Sequence, residues 1–374
     1  MNSQLRPLLP VVTELSSTEP FKTRTDTSRL CMLRCWQYIR RMRISCAFPP
    51  VPDTPKHIEL ADKLGYHTAW VYDTPALQID VWMTLALAAV RTKRITLGPG
   101  VLIPSLRHPM VTASAIAHLV SLVGEDRVVI GVGTGFTGRR AMGQKPLKWA
   151  DMPASVGLVK SLLHGDTVEV EGRMVRMLHG VGQAPNRPIN VRFVLGVNGP
   201  KGLQTAAAMG CGVFTSRPRP GTRYEDLPSA TLLGFGTVIG AGETIESERV
   251  WETAGAPAAV AYHAFLEQHD ERLESLPNAS RFVELAMAIP EATRHLNLHE
   301  GHLTVMNAID RAVMTPAAAA SLSPLTGTID QVRETAKHLA EAGMTEIAFQ
   351  PVGDIETELH TMAEALSPWM EAQP

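Results

Sequence analysis

From Met42 onward, apolar positions switch repeatedly between the strand period and the helix period. Arg43-Ile-Ser-Cys-Ala-Phe48 reads as a first strand. Thr54 then stands as an N-cap with Pro55 at the first helical position, and Ile58, Ala61 and Leu64 share a helix face that ends at Gly65. Thr68-Ala-Trp-Val-Tyr72 predicts a second strand. Asp80 caps a helix through Val90, and Ile95-Thr-Leu-Gly-Pro-Gly-Val101 predicts a third strand. A helix over 109–122 leads to Val128-Val-Ile-Gly-Val-Gly-Thr-Gly-Phe-Thr-Gly138, an apolar run broken by Gly131, Gly133, Gly135 and Gly138. Unbroken Val and Ile mark a strand buried on both faces, as in a parallel sheet. Glycines directly after such a strand let backbone N–H groups approach a ligand closely.

The alternation continues through the second half. A helix over 155–163 is followed by Thr167-Val-Glu-Val-Glu-Gly-Arg-Met-Val-Arg-Met177, whose strand period about Glu171-Gly172 predicts a hairpin excursion. The fifth strand covers 189–195, and its helix, 200–209, stops at Gly210. Val213-Phe214 is a short sixth strand and 231–239 a seventh. A helical region with several breaks covers 257–314. Thr328 caps a helix through Ala342, Glu346-Ile-Ala-Phe-Gln350 is the eighth strand, and a helix over 355–366 follows. Eight strands separated by helices predict an α/β fold, a (β/α)8 TIM barrel formed by residues 42–374 with one insertion in its C-terminal half.

Composition narrows the picture. In 374 residues, 45% hydrophobic content is ample for a large core, and a formal charge of −2 gives no general attraction to nucleic acid or an anionic membrane. No run approaches the roughly eighteen apolar residues of a membrane span. Cys31, Cys35, Cys46 and Cys211 have neither zinc nor thioredoxin spacing and form no disulfide framework, which fits a reducing, cytosolic setting. Residues 1–41 are rich in Ser, Thr and Pro and carry more basic than acidic side chains. They read as a disordered extension, although 29–41 could form a short basic amphipathic helix that targets a membrane surface.

Gly133-Thr-Gly135-Phe-Thr-Gly138 satisfies the dinucleotide fingerprint by its letters. That fingerprint also needs a helix opening inside the glycines and an acid ending the next strand. Here Gly143 and Pro146 break the helix, and Asp151 precedes a helix instead. In a barrel the same glycines lie at the carboxyl rim. Val197-Asn-Gly-Pro-Lys-Gly202 joins a strand to a helix; it reads as an anion site at a helix N-terminus or as a plain capped turn. Asp73 and Arg107-His108-Pro109 also belong at the rim, with simple capping as the alternative for Asp73 and His108. His295, His299 and His302 recur at helical spacing around Glu300, a metal cluster or the polar lining of a cavity. The zinc-protease spacing is missing and no metal is expected. Neither a Gly-x-Ser-x-Gly elbow nor a Walker loop is present.

In order and spacing these strings resemble the luciferase-like flavin monooxygenases, and more closely their deazaflavin-using, methylenetetrahydromethanopterin reductase-like branch. The resemblance rests on Ile58 to Asp73, Ile95 to Pro109, Arg127 to Gly135, Gly199 to Lys201 with its helix, Thr326 to Val332 and Leu339 to Gln350. It implies a luciferase-like TIM barrel, at least a homodimer, holding F420 or FMN across the carboxyl rim. Gly133, Thr134, Gly135, Gly199 and Lys201 would hold the phosphate-bearing tail. Gly100, Val101 and Leu102 match the bend against the ring, where the family often has a non-proline cis bond. The chain departs from the pattern in having Thr74 after Asp73, and Arg139 and Arg140 where many members carry a glutamate. Asp73 is then expected near the ring, with His108, His299 or His302 supplying protons. The implied enzyme passes hydride or activated oxygen to a small organic substrate. The alternatives are a binding barrel without turnover and a metal-dependent hydrolase built on the histidine cluster.

Overall fold

A computed structural model of the chain describes residues 42–370. The expected extension, 1–41, and its basic helix lie outside the described residues. Eight strands run parallel in one sheet: β1 (Arg43–Phe48), β2 (Thr68–Val71), β3 (Thr96–Pro99), β4 (Val129–Gly133), β7 (Arg192–Gly196), β8 (Gly212–Thr215), β9 (Ala230–Gly234) and β10 (Glu346–Phe349). The spatial order is β3-β2-β1-β10-β9-β8-β7-β4. Two isolated parallel bridges, Leu97 to Val128 and Leu102 to Val132, join β3 to β4 and close the cylinder. The two remaining strands, β5 (Val168–Val170) and β6 (Arg173–Val175), form the expected antiparallel hairpin, with Glu171 and Gly172 both at positive φ in its turn.

Side chains alternate across the pleat. Ala47, Trp70, Val129, Val194, Phe214 and Ala348 fill the lumen, while Ile44, Cys46, Phe48, Ile130, Leu195, Val213 and Phe349 pack outward beneath helices. Burial on both faces explains why these strands read as continuous apolar runs. The β3–β4 seam is different in kind. Pro99 has no N–H to donate, and a Cβ on Gly98 would stand 1.7 Å from the Val129 carbonyl oxygen, so only glycine permits this approach.

The outer helices that position the rim are α1 (Thr54–Leu64), α2 (Val81–Ala89), α3 (Pro109–Val123), α4 (Phe136–Arg140), α5 (Met152–His164) and α6 (Pro200–Ala208). Asp80 caps α2 as expected, accepting from the N–H groups of Trp82 and Met83. Thr54 does not cap α1. Its hydroxyl donates to the Pro49 carbonyl and accepts from the Val51 N–H, which closes the preceding turn; Asp53 holds the cap position, its side chain bonded to Lys56 and not to the helix N–H groups.

The insertion lies between β9 and β10. It carries α7 (Glu248–Gln268), α8 (Ala279–Met287), α9 (Glu291–Leu298), α10 (Ala308–Val313) and α11 (Pro316–Leu322), and α12 (Ile329–Glu341) leads back to the barrel. Its helices begin earlier and end later than the sequence suggested. The seventh strand is shorter than expected: it ends at Gly234, and Val238 makes only an isolated bridge to Gly327. A separate core built on Tyr262, Phe265, Phe282, Met306 and Val313 holds the insertion together. Arg249 fastens it to the barrel, donating to the Val238 carbonyl, Thr237 and Glu358, the last on α13 (Ile355–Ala365).

Candidate active site

Because all eight barrel strands are parallel, every connection from a strand to its helix emerges at one mouth. Gly133 ends β4 in register with Gly196 at the end of β7. The glycine rim at Thr134 and Gly135 and the turn at Gly199 are therefore neighbours, as the sequence required.

At the β7 turn, Asn198 is pinned to the end of β8. Its Oδ1 accepts from the Thr215 hydroxyl at 2.9 Å and the Ser216 N–H at 3.1 Å. Gly199 follows at the N-cap of α6 in extended conformation, with no side chain capping the helix. Among the described residues, a Cβ on Gly199 would meet nothing within 4 Å, so the helix start is open there. Lys201 is exposed beside it. Uncapped N–H groups, the positive end of the helix dipole and a lysine suit an anionic group. The residues present fit the phosphate-bearing tail of a flavin or deazaflavin.

Across the mouth, Gly100 and Val101 are joined by a non-proline cis peptide bond, at the position where the resemblance puts the bend. Val101 fills the space between β4 and β7: a Cβ on Gly133 or Gly196 would come within 2.5 or 3.1 Å of it. Leu102 then pairs with β4, donating to the Gly131 carbonyl and accepting from the Gly133 N–H.

Asp73 lies just beyond β2 and is buried. Its carboxylate accepts the Ile103 N–H at 3.1 Å, and Arg107 Nη1 reaches both oxygens at 2.9 and 2.8 Å. Arg107 continues to Asp80 at 3.2 Å. The carboxylate thus ties the loop after β2 to the loop after β3. Burial raises its pKa above the ordinary value, with the Arg107 charge pulling the other way. His108 is exposed, and its Nδ1 accepts the Met110 N–H at the start of α3.

The histidines divide. His295 lies on α9, half-buried, one turn before His299 and outside the cluster of ring nitrogens. His299 and His302 are buried, with their Nδ1 atoms 3.3 Å apart, and the partner that joins them is His263 of α7. His299 Nε2 bonds Glu267 at 2.9 Å, and the other Glu267 oxygen lies 3.6 Å from Arg140 at the end of α4. His263 Nε2 bonds Asp310 at 2.7 Å. Burial first, then the neighbouring imidazoles, push the His302 pKa well below its ordinary value. His299 and His302, with Ala76, Gln78, Ala141 and Thr304, line a cavity of about 310 Å³ between the insertion and the loops after β2 and β4. That volume suits a small organic molecule.

Sequence reasoning passed over several polar groups here. The Tyr72 hydroxyl donates to Gln350, whose Nε2 donates at 2.7 Å to the Leu303 carbonyl and holds the 301–304 turn over the lumen. Tyr72, Asn198 and Gln350 each sit at or just past a strand end, a place where polar side chains reach the mouth. That signal was available. His263, Glu267 and Asp310 carry no such mark, since the insertion's own packing brings them in.

Comparisons with known proteins agree with this geometry. The family described as luciferase-like monooxygenase matches residues 37–230. The 5,10-methylenetetrahydromethanopterin reductase of Archaeoglobus fulgidus is 27% identical over 318 residues, covering 79% of this chain and 89% of that protein. The structure of the coenzyme F420 dependent tetrahydromethanopterin reductase from Methanopyrus kandleri superposes with a TM-score of 0.62 at 20% identity, covering 88% of this chain and all of that one. The FMN complex of the oxygenating constituent of 3,6-diketocamphane monooxygenase from Pseudomonas putida gives 0.52 at 14% identity, covering 88% and 97%. At these identities the two structures speak to the fold alone. Strand order, the closed cylinder and the family match over more than half the chain agree, and the protein belongs to the luciferase-like monooxygenase family.

Proposed function

We propose that the chain is an oxidoreductase that binds F420 or FMN across the barrel mouth and passes hydride or activated oxygen to a small organic substrate. The observation that carries this reading is the uncapped start of α6, open at Gly199 and flanked by Lys201, beside the glycine rim of β4. The cofactor, when bound, supplies the redox chemistry. Gly133, Thr134, Gly135, Gly199 and Lys201 hold its tail, and Gly100, Val101 and Leu102 lie toward its ring. Asp73 acts by fixing the loop that carries Ile103 and Arg107. His108 acts by setting the start of α3, and His299 by forming the polar wall of the substrate cavity. Assembly into a homodimer or larger homo-oligomer belongs to the same proposal. Ile79, Met83, Leu87 and Val90, on and beside α2, are each 52–71% exposed and would be covered by a second copy.

The test is titration of the purified chain with F420 and with FMN, followed by cofactor fluorescence, beside a Gly199→Asp variant. Gly199 has an extended backbone that any residue adopts, and aspartate is a favoured N-cap. The variant should therefore be as stable as the parent or slightly more so, while its carboxylate repels an anionic tail. Affinity should drop by about tenfold or more, the equivalent of roughly 1.4 kcal/mol. Failure of the parent chain to bind either cofactor, or undiminished binding by the variant, overturns the reading.

A further inference from the structure

Three buried imidazoles meet outside the cofactor rim. His263 comes from α7, His299 from the end of α9 and His302 from the following turn, and one ring nitrogen of each lies within 4.8 Å of the other two. Water cannot compensate groups this deep: the three residues are 2%, 1% and 8% exposed. Carboxylates orient two of the rings: His263 Nε2 lies 2.7 Å from Asp310, and His299 Nε2 lies 2.9 Å from Glu267. Each ring therefore has Nδ1 as its remaining nitrogen, and that of His299 lies 3.3 Å from His302 Nδ1. The His263 Nδ1 is buried and has no hydrogen-bond partner among the described residues. A neutral imidazole fixed by a carboxylate on one nitrogen, with its other lone pair free, is the usual form of a metal-binding histidine.

We propose that His263, His299 and His302 form a zinc site, with Asp310 and Glu267 orienting two of the ligands. Zinc–nitrogen bonds of about 2.0–2.1 Å at tetrahedral angles put neighbouring ligand atoms roughly 3.4 Å apart. The His299 and His302 Nδ1 atoms are already 3.3 Å apart. His263 closes the set by moving inward within the 4.8 Å limit. Asp310 and Glu267 place two carboxylates beside the three rings, as counter-charge to a divalent cation. Asp310 is itself held firmly, because its second oxygen accepts the Asn307 N–H in the capping box of α10. Neutral nitrogen donors in a compact three-ligand set favour zinc over calcium or magnesium, which take oxygen ligands. Since His299 and His302 also line the 310 Å³ cavity, the fourth coordination position faces the space proposed for substrate.

The site also explains a placement. His302 immediately precedes Leu303, whose carbonyl accepts from Gln350 and whose side chain packs against the lumen cluster. A cation bridging α7 to this turn would fix the insertion against the barrel mouth.

The experiment is metal analysis of the full chain, then removal of metal with a chelator and titration with Co2+ as a spectroscopic probe. The expected result is one zinc per chain as purified, and visible absorption of tetrahedral cobalt on titration. Zinc displaces that signal. His263→Ala, which leaves the cavity lining intact, should abolish both the retained zinc and the cobalt bands. Asp310→Asn should weaken zinc binding by about 10- to 100-fold, and His295→Ala should leave it unchanged. Circular dichroism of each variant separates loss of the site from loss of fold. A parent chain that takes up neither metal overturns the proposal without any variant, and so does zinc retained by a folded His263→Ala protein. Neither result depends on cofactor titration, so this proposal and the redox reading fail separately.

Discussion

Asp73 shows how a single side chain can matter to a site by holding its frame. Its carboxylate satisfies the Ile103 N–H and neutralises Arg107, whose side chain is only 15% exposed. Asp73→Ala would leave a largely buried guanidinium without its main partner and strand the Ile103 N–H. A loss of about 3 kcal/mol in stability is expected from urea unfolding. Turnover should fall with it, because the Ile103 loop carries the neighbours of Val101. Lys201 behaves differently, being exposed and beside a helix start. Lys201→Ala should leave unfolding unchanged and weaken cofactor binding by about fivefold to tenfold at low salt, less at high salt. Glu358 gives a pH signature. Burial pushes its carboxyl up to about 7 from an ordinary 4.5, so the folded chain keeps a proton that the unfolded chain releases. This contribution is fully present below the unfolded value and is lost as pH rises through the folded one. Between about pH 5 and pH 8 the parent should lose roughly 2–3 kcal/mol more than Glu358→Gln, measured by denaturant unfolding at each pH.

Among the elements, what was legible in the sequence was local. Asp80 and Thr328 lie directly before runs of helical period, and both cap the helices that follow. The Thr328 hydroxyl accepts from Gln331 while Gln331 reaches back to the Thr328 N–H. Thr328→Ala should therefore cost about 1 kcal/mol, measurable by thermal or denaturant unfolding. Thr54 had the same look, but the Val51 N–H in the preceding turn takes its hydroxyl oxygen, and the hydroxyl proton goes to the Pro49 carbonyl. That competitor has no trace in the local pattern. The seventh strand was read too long because its apolar run continues past Gly234, although the chain there turns away to enter the insertion. The histidine cluster shows the limit most clearly. His299 and His302 were found by spacing, and their burial followed. His295 was grouped with them by spacing, but the third ring nitrogen of the cluster comes from His263 instead. His263 could be found only once α7 was packed against the turn.

At the scale of the molecule, the barrel was readable because a closed parallel sheet writes itself into the chain as apolar runs at regular intervals. Its one mouth followed from topology, so the rim residues Gly133, Gly135 and Gly199 could be grouped without coordinates. The depth of the insertion could not, since helices that carry their own core look like any other helices. The way the cylinder closes has a consequence for how it comes apart. Seven of its eight junctions are continuous ladders, whereas β3 meets β4 through scattered bridges, a proline and a glycine under carbonyl contact. Thermal breathing should start along that line, as a barrel opens where one stave is pinned instead of glued. Native-state amide exchange is expected to release Leu97, Leu102 and Gly133 ahead of the amides in β1 and β10, on the far side of the wall. A bound molecule spanning the rim from Val101 to Gly199 would bridge this weak join, so ligand should slow exchange there more than anywhere else. In that sense the chain would be completed as a cylinder by what it binds.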